Sequence, residues 1–375
     1  MKKERIRKFA GVTGGYMSIV RFGIVGGGWR SEFFLRIAKA LPERFEVAGV
    51  VVRDQEKGRA FEQAWGVPTF RTAAAMLDAG SLAFVVVSVP RKAAPDVILE
   101  LTGRDVAVLC ETPPAEKLED LIALYRQVGS KGRIQVAEQY AFQPNHAGRL
   151  AIVRSGKLGQ VTQAQVSAAH DYHGISLMRR YLGIGFENAA IRAAAFASPL
   201  MEGPGRSGPP KESGLKQSEQ VMASFDFGGK YGVYDFTGDQ YFSWIRSPRV
   251  LVRGERGEIN NFDVRYLLDY LTPVHLQMTR QQAGLDGNLE GYYLKSLHLG
   301  EQVVYKNGTA PARLTDDEIA VAACLEKMAV YAAGGEDFYS LAEACQDHYL
   351  ALMMKQSLQT GETVTTETQC WAENN

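Results

Sequence analysis

An apolar run that ends in three consecutive glycines has few ways to fold, and residues 20–31 carry one: Val-Arg-Phe-Gly-Ile-Val-Gly-Gly-Gly-Trp-Arg-Ser. The run predicts a buried strand, and the apolar spacing after it predicts a helix over Trp29–Leu41. Gly26 is free to take the positive φ of a tight turn, and Gly28 omits a Cβ where a pyrophosphate must approach backbone. The first N–H groups of the helix then aim at the anion, which makes Gly26, Gly27, Gly28, Trp29 and Arg30 candidate cofactor contacts. The third position of the G-x-G-x-x-G pattern is Ser31 rather than Gly or Ala. A glycine triplet after a strand can also be a plain turn, so the motif needs its context.

The context is a series of strand–helix units. Apolar runs at Phe45–Val52, Leu82–Val89, Val106–Cys110 and Ile134–Ala137 alternate with helical patterns at Gln55–Trp65, Pro95–Leu101 and Leu118–Val128. Strands apolar on both faces and separated by helices predict a Rossmann-type, doubly wound parallel α/β sheet over 17–140, with its ligand at the carboxyl ends of the strands.

After Tyr140 the pattern changes. A helix opening near Pro144 and running to Ser155 precedes alternating segments at Val161–Ala169, Val221–Phe227, Tyr231–Thr237, Arg249–Arg253 and Gln302–Tyr305. These predict a second α+β domain over 141–375, built on an open, mostly antiparallel sheet. Ser198–Gly214, rich in Pro, Gly and Ser, reads as an exposed loop or lid. Two closing helices, Thr315–Ala332 and Ser340–Thr360, each begin with a capping box, Thr315 with Glu318 and Ser340 with Glu343. They are expected to pack back on the first domain, leaving one face of the second sheet for a homodimer or homotetramer contact.

Charge narrows the partners: 42 Lys and Arg balance 42 Asp and Glu. Nucleic acid is disfavoured, because phosphate-backbone binding needs a basic surplus, and a small molecule is expected instead. No stretch has the length to cross a bilayer, and residues 1–16, an N-terminal extension, lack the apolar core of a secretory signal, with Met17 an alternative start. Cys110, Cys324, Cys345 and Cys370 show neither metal-ligand nor disulfide spacing, which points to a reducing cytoplasm and to no metal site.

The sequence from Met17 onward resembles the Gfo/Idh/MocA oxidoreductase family. The resemblance rests on the glycine turn, Ser88-Val89-Pro90, Cys110-Glu111-Thr112-Pro113, Ser155-Gly156-Lys157-Leu158-Gly159, and His173 ahead of Tyr181-Leu182-Gly183. It implies a nicotinamide cofactor, NAD or NADP, and a polyhydroxylated substrate such as a sugar or inositol. Ser88, Pro90, Glu111, Thr112 and Pro113 would then line the cofactor site, with Pro113 fixing the backbone there. Two departures stand out. In the family the lysine of Glu-Lys-Pro contacts nicotinamide and substrate, and an Asp-x-x-x-His pair supplies the acid and base. Here those positions hold Thr112 and Ala169.

The family places its catalytic group in the segment His170-Asp171-Tyr172-His173-Gly174. His173 is the leading proton-transfer candidate, with Tyr172, His170 and Asp171 beside it. The alternative for this segment is a helix N-terminus with Asp171 as its cap. Arg179, farther along the same helix, and Gln139 and Tyr140, after the sixth apolar run with Glu138, are substrate candidates. At the end of the second strand, Val52 stands where an acid would bind the adenosine ribose of NAD. Arg53 follows, which tips the choice toward NADP, although Asp54 is close enough to reach the ribose.

The reading that follows is an NAD(P)-dependent oxidoreductase acting on a sugar, inositol or related polyol. Two alternatives remain: an enzyme that keeps its cofactor bound and uses transient oxidation for elimination, epimerisation or glycoside cleavage, and a non-catalytic nucleotide- or sugar-binding regulator.

Overall fold

The computed structural model describes residues 19–129 and 131–373. The expected extension at 1–16 and the alternative start Met17 lie outside the described residues. The first sheet contains β1 (Val20–Val25), β2 (Phe45–Val51), β3 (Thr69–Phe70), β4 (Phe84–Val87), β5 (Val108–Cys110) and β6 (Ile134–Val136). Its order is β3-β2-β1-β4-β5-β6, and every pairing is parallel. The intervening helices are α1 (Ser31–Ala40), α2 (Gln55–Trp65), α3 (Ala73–Asp78), α4 (Ala94–Thr102) and α5 (Leu118–Val128).

Side chains alternate along each strand and feed two cores, which is why the strands read as unbroken apolar runs. Phe22, Ile24, Phe84 and Val86 pack with Phe34 and Ile37 of α1 on one face, and Val25, Val85 and Val87 pack with Ile98 and Leu121 on the other. The strand order reverses between β1 and β4, the place where such a sheet opens a crevice at its carboxyl edge. The two-residue strand β3 is too short to leave a periodic signal.

After α6 (Pro144–Arg154) come β7 (Val161–Ser167) and α7 (Asp171–Leu182), then β8 (Ala190–Met201), β9 (Leu215–Asp226), β10 (Tyr231–Phe236) and β11 (Arg249–Gly254). The remaining strands are β12 (Gly257–Asn260), β13 (Asp263–Asp269), β14 (Thr272–Gln282), β15 (Leu294–Leu299), β16 (Gln302–Lys306) and β17 (Val364–Thr365). Together they form an 11-stranded sheet ordered β16-β15-β14-β13-β12-β11-β7-β10-β9-β8-β17, parallel between β7 and β10 and antiparallel at the other pairings.

Two expectations need correction here. Ser198–Gly214 is not all loop: Ser198–Met201 ends β8 and pairs with Leu215–Ser218, so the connection proper is residues 202–214. The alanine-rich β8 has a helix former's composition, and continuous pairing with β9 from Ala190 to Met201 overrides it. The second correction concerns Ser340 and Glu343. Thr315 and Glu318 form a complete capping box. The Ser340 hydroxyl accepts from Glu343 N at 3.2 Å, but the Glu343 carboxylate lies 3.2 Å from Arg179 instead of returning to the cap.

The closing helices α8 (Asp316–Ala332) and α9 (Leu341–Thr360) divide their contacts. Val321, Leu325 and Met328 of α8 join the core of Phe22 and Phe34. Along α9, Cys345 and Tyr349 pack with the first sheet, whereas Leu350, Ala351 and Met354 pack with the second. A helix shared in this way fixes the two sheets relative to each other. Among the described residues, no helix is long and apolar enough to cross a membrane.

Candidate active site

The glycine turn is closed by sterics and one hydroxyl. Gly26 sits at φ +124°, and a Cβ there would lie 2.0 Å from Ser88 O, so a side chain is excluded twice over. The buried Ser31 donates from Oγ to Gly26 O at 2.8 Å, giving the irregular third position of the motif a role in holding the turn. Around Gly28 a Cβ would meet no atom within 4 Å. That open backbone borders a cleft of about 1520 Å³, which all the cofactor candidates line except Pro113. Pro113 is buried behind a cis Thr112–Pro113 peptide.

Arg30 projects into an acidic bracket: Nε lies 2.8 Å from Glu111 and Nη1 3.2 Å from Asp317. Asp317, at the start of α8, also accepts from Gln139 Nε2 at 3.1 Å and Gln143 Nε2 at 3.2 Å. The two carboxylates hold the Arg30 guanidinium charged despite its burial. Trp29 is 55% exposed, and Arg206, from the 202–214 connection, stacks 4.0 Å from its ring centroid. The second domain thus reaches across the cleft to the glycine turn.

At the junction of β7 and α7, His173 Nδ1 lies 2.5 Å from Glu138 Oε2, and both groups are buried. Burial pushes the Glu138 carboxyl up to about 8, against the backbone N–H of Tyr140 and the positive charges of Arg180 and Arg30. Burial also pushes the His173 imidazole down to about 3, helped by Arg30. Both shifts favour uncharged groups, so near neutral pH the carboxyl keeps its proton, held in the short contact, the imidazole is neutral, and the pair's charge is zero. The Tyr140 ring stands 4.5 Å from the His173 ring, and its hydroxyl meets Tyr241 OH at 3.4 Å.

His170 Nδ1 bonds Tyr241 OH at 2.6 Å, and burial, with His173 beside it, lowers its pKa to about 4. The Tyr172 hydroxyl accepts from Arg91 at 3.2 Å, and burial raises its pKa. His170, Tyr172, His173, Gln139 and Tyr140 all line the cleft. Gln139 Oε1 is buried there with no hydrogen-bond partner.

Asp171 and Arg179 do not belong to this cluster. Asp171 takes φ +43°, and its carboxylate turns to Lys355 Nζ at 2.7 Å, making it neither cleft residue nor cap. Arg179 is 1% exposed and pairs with Asp347 at 2.6 Å, so its charge is satisfied inside the protein. His146 bonds Tyr181 OH at 2.9 Å in the core. Sequence reasoning missed Asp317, Tyr241, Arg91 and Arg206, which reach the cleft from separate elements without shared spacing. Glu138 was legible only as a residue at a strand's cleft end, not as the partner of His173. Among the described residues, no cluster suited to a metal ion is present.

The parallel Rossmann sheet, the open mostly antiparallel sheet and the glycine-edged cleft together give the chain an architecture that it shares with solved structures. Residues 20–140 match the Gfo/Idh/MocA model, described as an oxidoreductase family with an NAD-binding Rossmann fold. It is 28% identical over 149 residues to inositol 2-dehydrogenase of Arthrobacter sp. strain FB24, covering 38% of this chain and 43% of that relative. Levoglucosan dehydrogenase in complex with NADH and levoglucosan shares the fold over 93% of this chain and 99% of its own, with TM-score 0.66 and 15% identity. A myo-inositol dehydrogenase from Corynebacterium glutamicum does so over 93% and 99%, with TM-score 0.63 and 16% identity.

Proposed function

We propose that this protein transfers hydride between a nicotinamide dinucleotide and a carbinol carbon of a sugar, inositol or related polyol. The observation that carries the reading is that His173, backed by Glu138 at 2.5 Å, lines the same cleft as the glycine turn. The turn fits a dinucleotide, because Gly28 leaves backbone open where a pyrophosphate must approach. Gly26, Gly27, Gly28, Ser88 and Pro90 would hold it, and when bound it supplies the hydride acceptor or donor.

The protein's own task is the proton. With Nδ1 engaged by Glu138, Nε2 is the nitrogen of His173 left for substrate. In the uncharged form, Glu138 holds its proton against Nδ1 and Nε2 carries another. A carbonyl being reduced takes the Nε2 proton, and the Glu138 proton passes to Nδ1. Oxidation runs these transfers backward, starting from ionised Glu138 and a bare Nε2. Glu138 thereby supplies the carboxylate absent at Ala169, and Arg30 places a guanidinium in a site where Thr112 offers no charge. Gln139 Oε1 is an acceptor for a substrate hydroxyl, and Tyr172, polarised by Arg91, is a donor.

A homo-oligomer through the second sheet goes with this reading. Phe196, Met222 and Tyr231 are exposed, and the strand register puts them on one face. The free cysteines suit a reducing cytoplasm. Incubation with NAD and NADP and a panel of sugars and polyols, read by nicotinamide absorbance and product mass, tests the function. Free reduced cofactor with an oxidised product supports it. Product without net cofactor reduction would point to transient oxidation, and tight binding without any product to a regulator.

A further inference from the structure

The adenosine end of the cleft holds a feature that the Arg53 reading does not contain. Val52, at the end of β2, is buried, so no carboxylate stands at that strand terminus. Asp54 commits its carboxylate to the N-cap of α2, accepting from Lys57 N at 2.7 Å. Into this acid-poor corner comes Arg71, from the turn between β3 and α3. Its Nη1 donates to the carbonyls of Val52 and Asp54, the latter at 3.0 Å.

Room for that guanidinium is made by Gly58. A Cβ at residue 58 would lie 2.5 Å from Nη1 and 2.7 Å from Nη2 of Arg71. A glycine in the first turn of a helix costs stability, of order 1 kcal/mol relative to alanine, and here it clears space for one side chain. Glu62, an acid that feels the Arg71 charge, is turned to Thr69, accepting from its N–H at 2.9 Å and its hydroxyl at 2.6 Å. Among the described residues, none of Arg53, Lys57 and Arg71 is ion-paired with a carboxylate, and all three line the cleft. Three unpaired cations grouped at a helix N-terminus, with one guanidinium fixed by backbone carbonyls, form a preorganised site for a doubly charged anion.

We propose that Arg71, admitted by Gly58 and flanked by Arg53 and Lys57, binds a phosphate on the adenosine ribose and thereby selects NADP(H) over NAD(H). The inference rests on the dinucleotide reading above and adds the residue that decides between the cofactors.

Calorimetric titration of the full chain with NADP, NAD, adenosine 2′,5′-bisphosphate and adenosine 5′-monophosphate tests it. Wild type is expected to favour the 2′-phosphorylated member of each pair by about tenfold or more. Arg71→Gln should remove most of that preference while leaving NAD affinity within about twofold. Gly58→Ala, a benign change for a helix, should produce the same loss by displacing the guanidinium. Binding of NAD and NADP with equal affinity, or an equal loss of both in Arg71→Gln, would overturn this inference while leaving the dinucleotide reading standing. Binding of neither would overturn the dinucleotide reading and this inference with it.

Discussion

The Glu138 carboxylate, at the end of the first sheet, meets the His173 imidazole, at the start of α7, at 2.5 Å. Burial raises one pKa and lowers the other, and this fixes how stability responds to pH. Folded Glu138 holds its proton more tightly than the unfolded chain, so its contribution is fully present below the ordinary value of about 4.5 and is lost as pH rises through about 8. For Glu138→Gln, which cannot ionise, the melting temperature relative to wild type is therefore expected to be higher at pH 8 than at pH 5. A constant difference across that range would mean that Glu138 is ionised throughout.

Removal of His173 separates chemistry from binding. His173→Ala should lower turnover by about 10² or more and leave dinucleotide affinity nearly unchanged, because the imidazole acts when charge develops on the substrate oxygen. Stopped-flow rates beside calorimetric cofactor titrations check this. Wild-type turnover in the variant would move the proton to Tyr172 or His170.

Gly28 gives a cleaner test of the turn than Gly26. Gly26→Ala would force a methyl into Ser88 O and disturb the fold, whereas the space around Gly28 is open. Gly28→Val should therefore melt near wild type and yet lose dinucleotide binding. Normal affinity in the folded variant would sever this turn from the cofactor.

The parallel sheet was legible because its strands are buried on both faces and follow one another in a regular strand–helix rhythm. The second sheet was harder. Strands such as β14, Thr-Pro-Val-His-Leu-Gln-Met-Thr-Arg-Gln-Gln, bury one face and carry much polar sequence, and β8 looks helical until it pairs with β9. In the site, the glycine turn and His173 could be read from local sequence and the family resemblance. The Glu138–His173 contact spans 35 positions and the Arg30–Asp317 contact 287, and no local pattern encodes either pairing. Arg179 misled for the opposite reason: sequence shows a charged residue on the right helix but not the Asp347 that neutralises it.

Arg179 is expected to matter for folding and not for substrate. Arg179→Met leaves the buried Asp347, whose pKa burial already raises to about 6, without its cation. A loss of about 3–5 kcal/mol in chemical denaturation is expected, with KM unchanged in the folded fraction. The double variant Arg179→Met with Asp347→Leu should recover part of that loss. Unchanged stability with a raised KM would return Arg179 to the substrate site.

The most direct test of the proposed proton path is the pH dependence of kcat/KM in both directions, measured with a substrate pair found in the polyol panel. Oxidation needs Glu138 ionised and Nε2 of His173 bare, so its rate should climb as pH passes about 8 and then level. Reduction needs the uncharged dyad with Glu138 protonated, so its rate should fall over the same interval. Glu138→Gln should erase both inflections. Profiles that are flat through this range, or unchanged by Glu138→Gln, would contradict a proton path through Glu138 and His173.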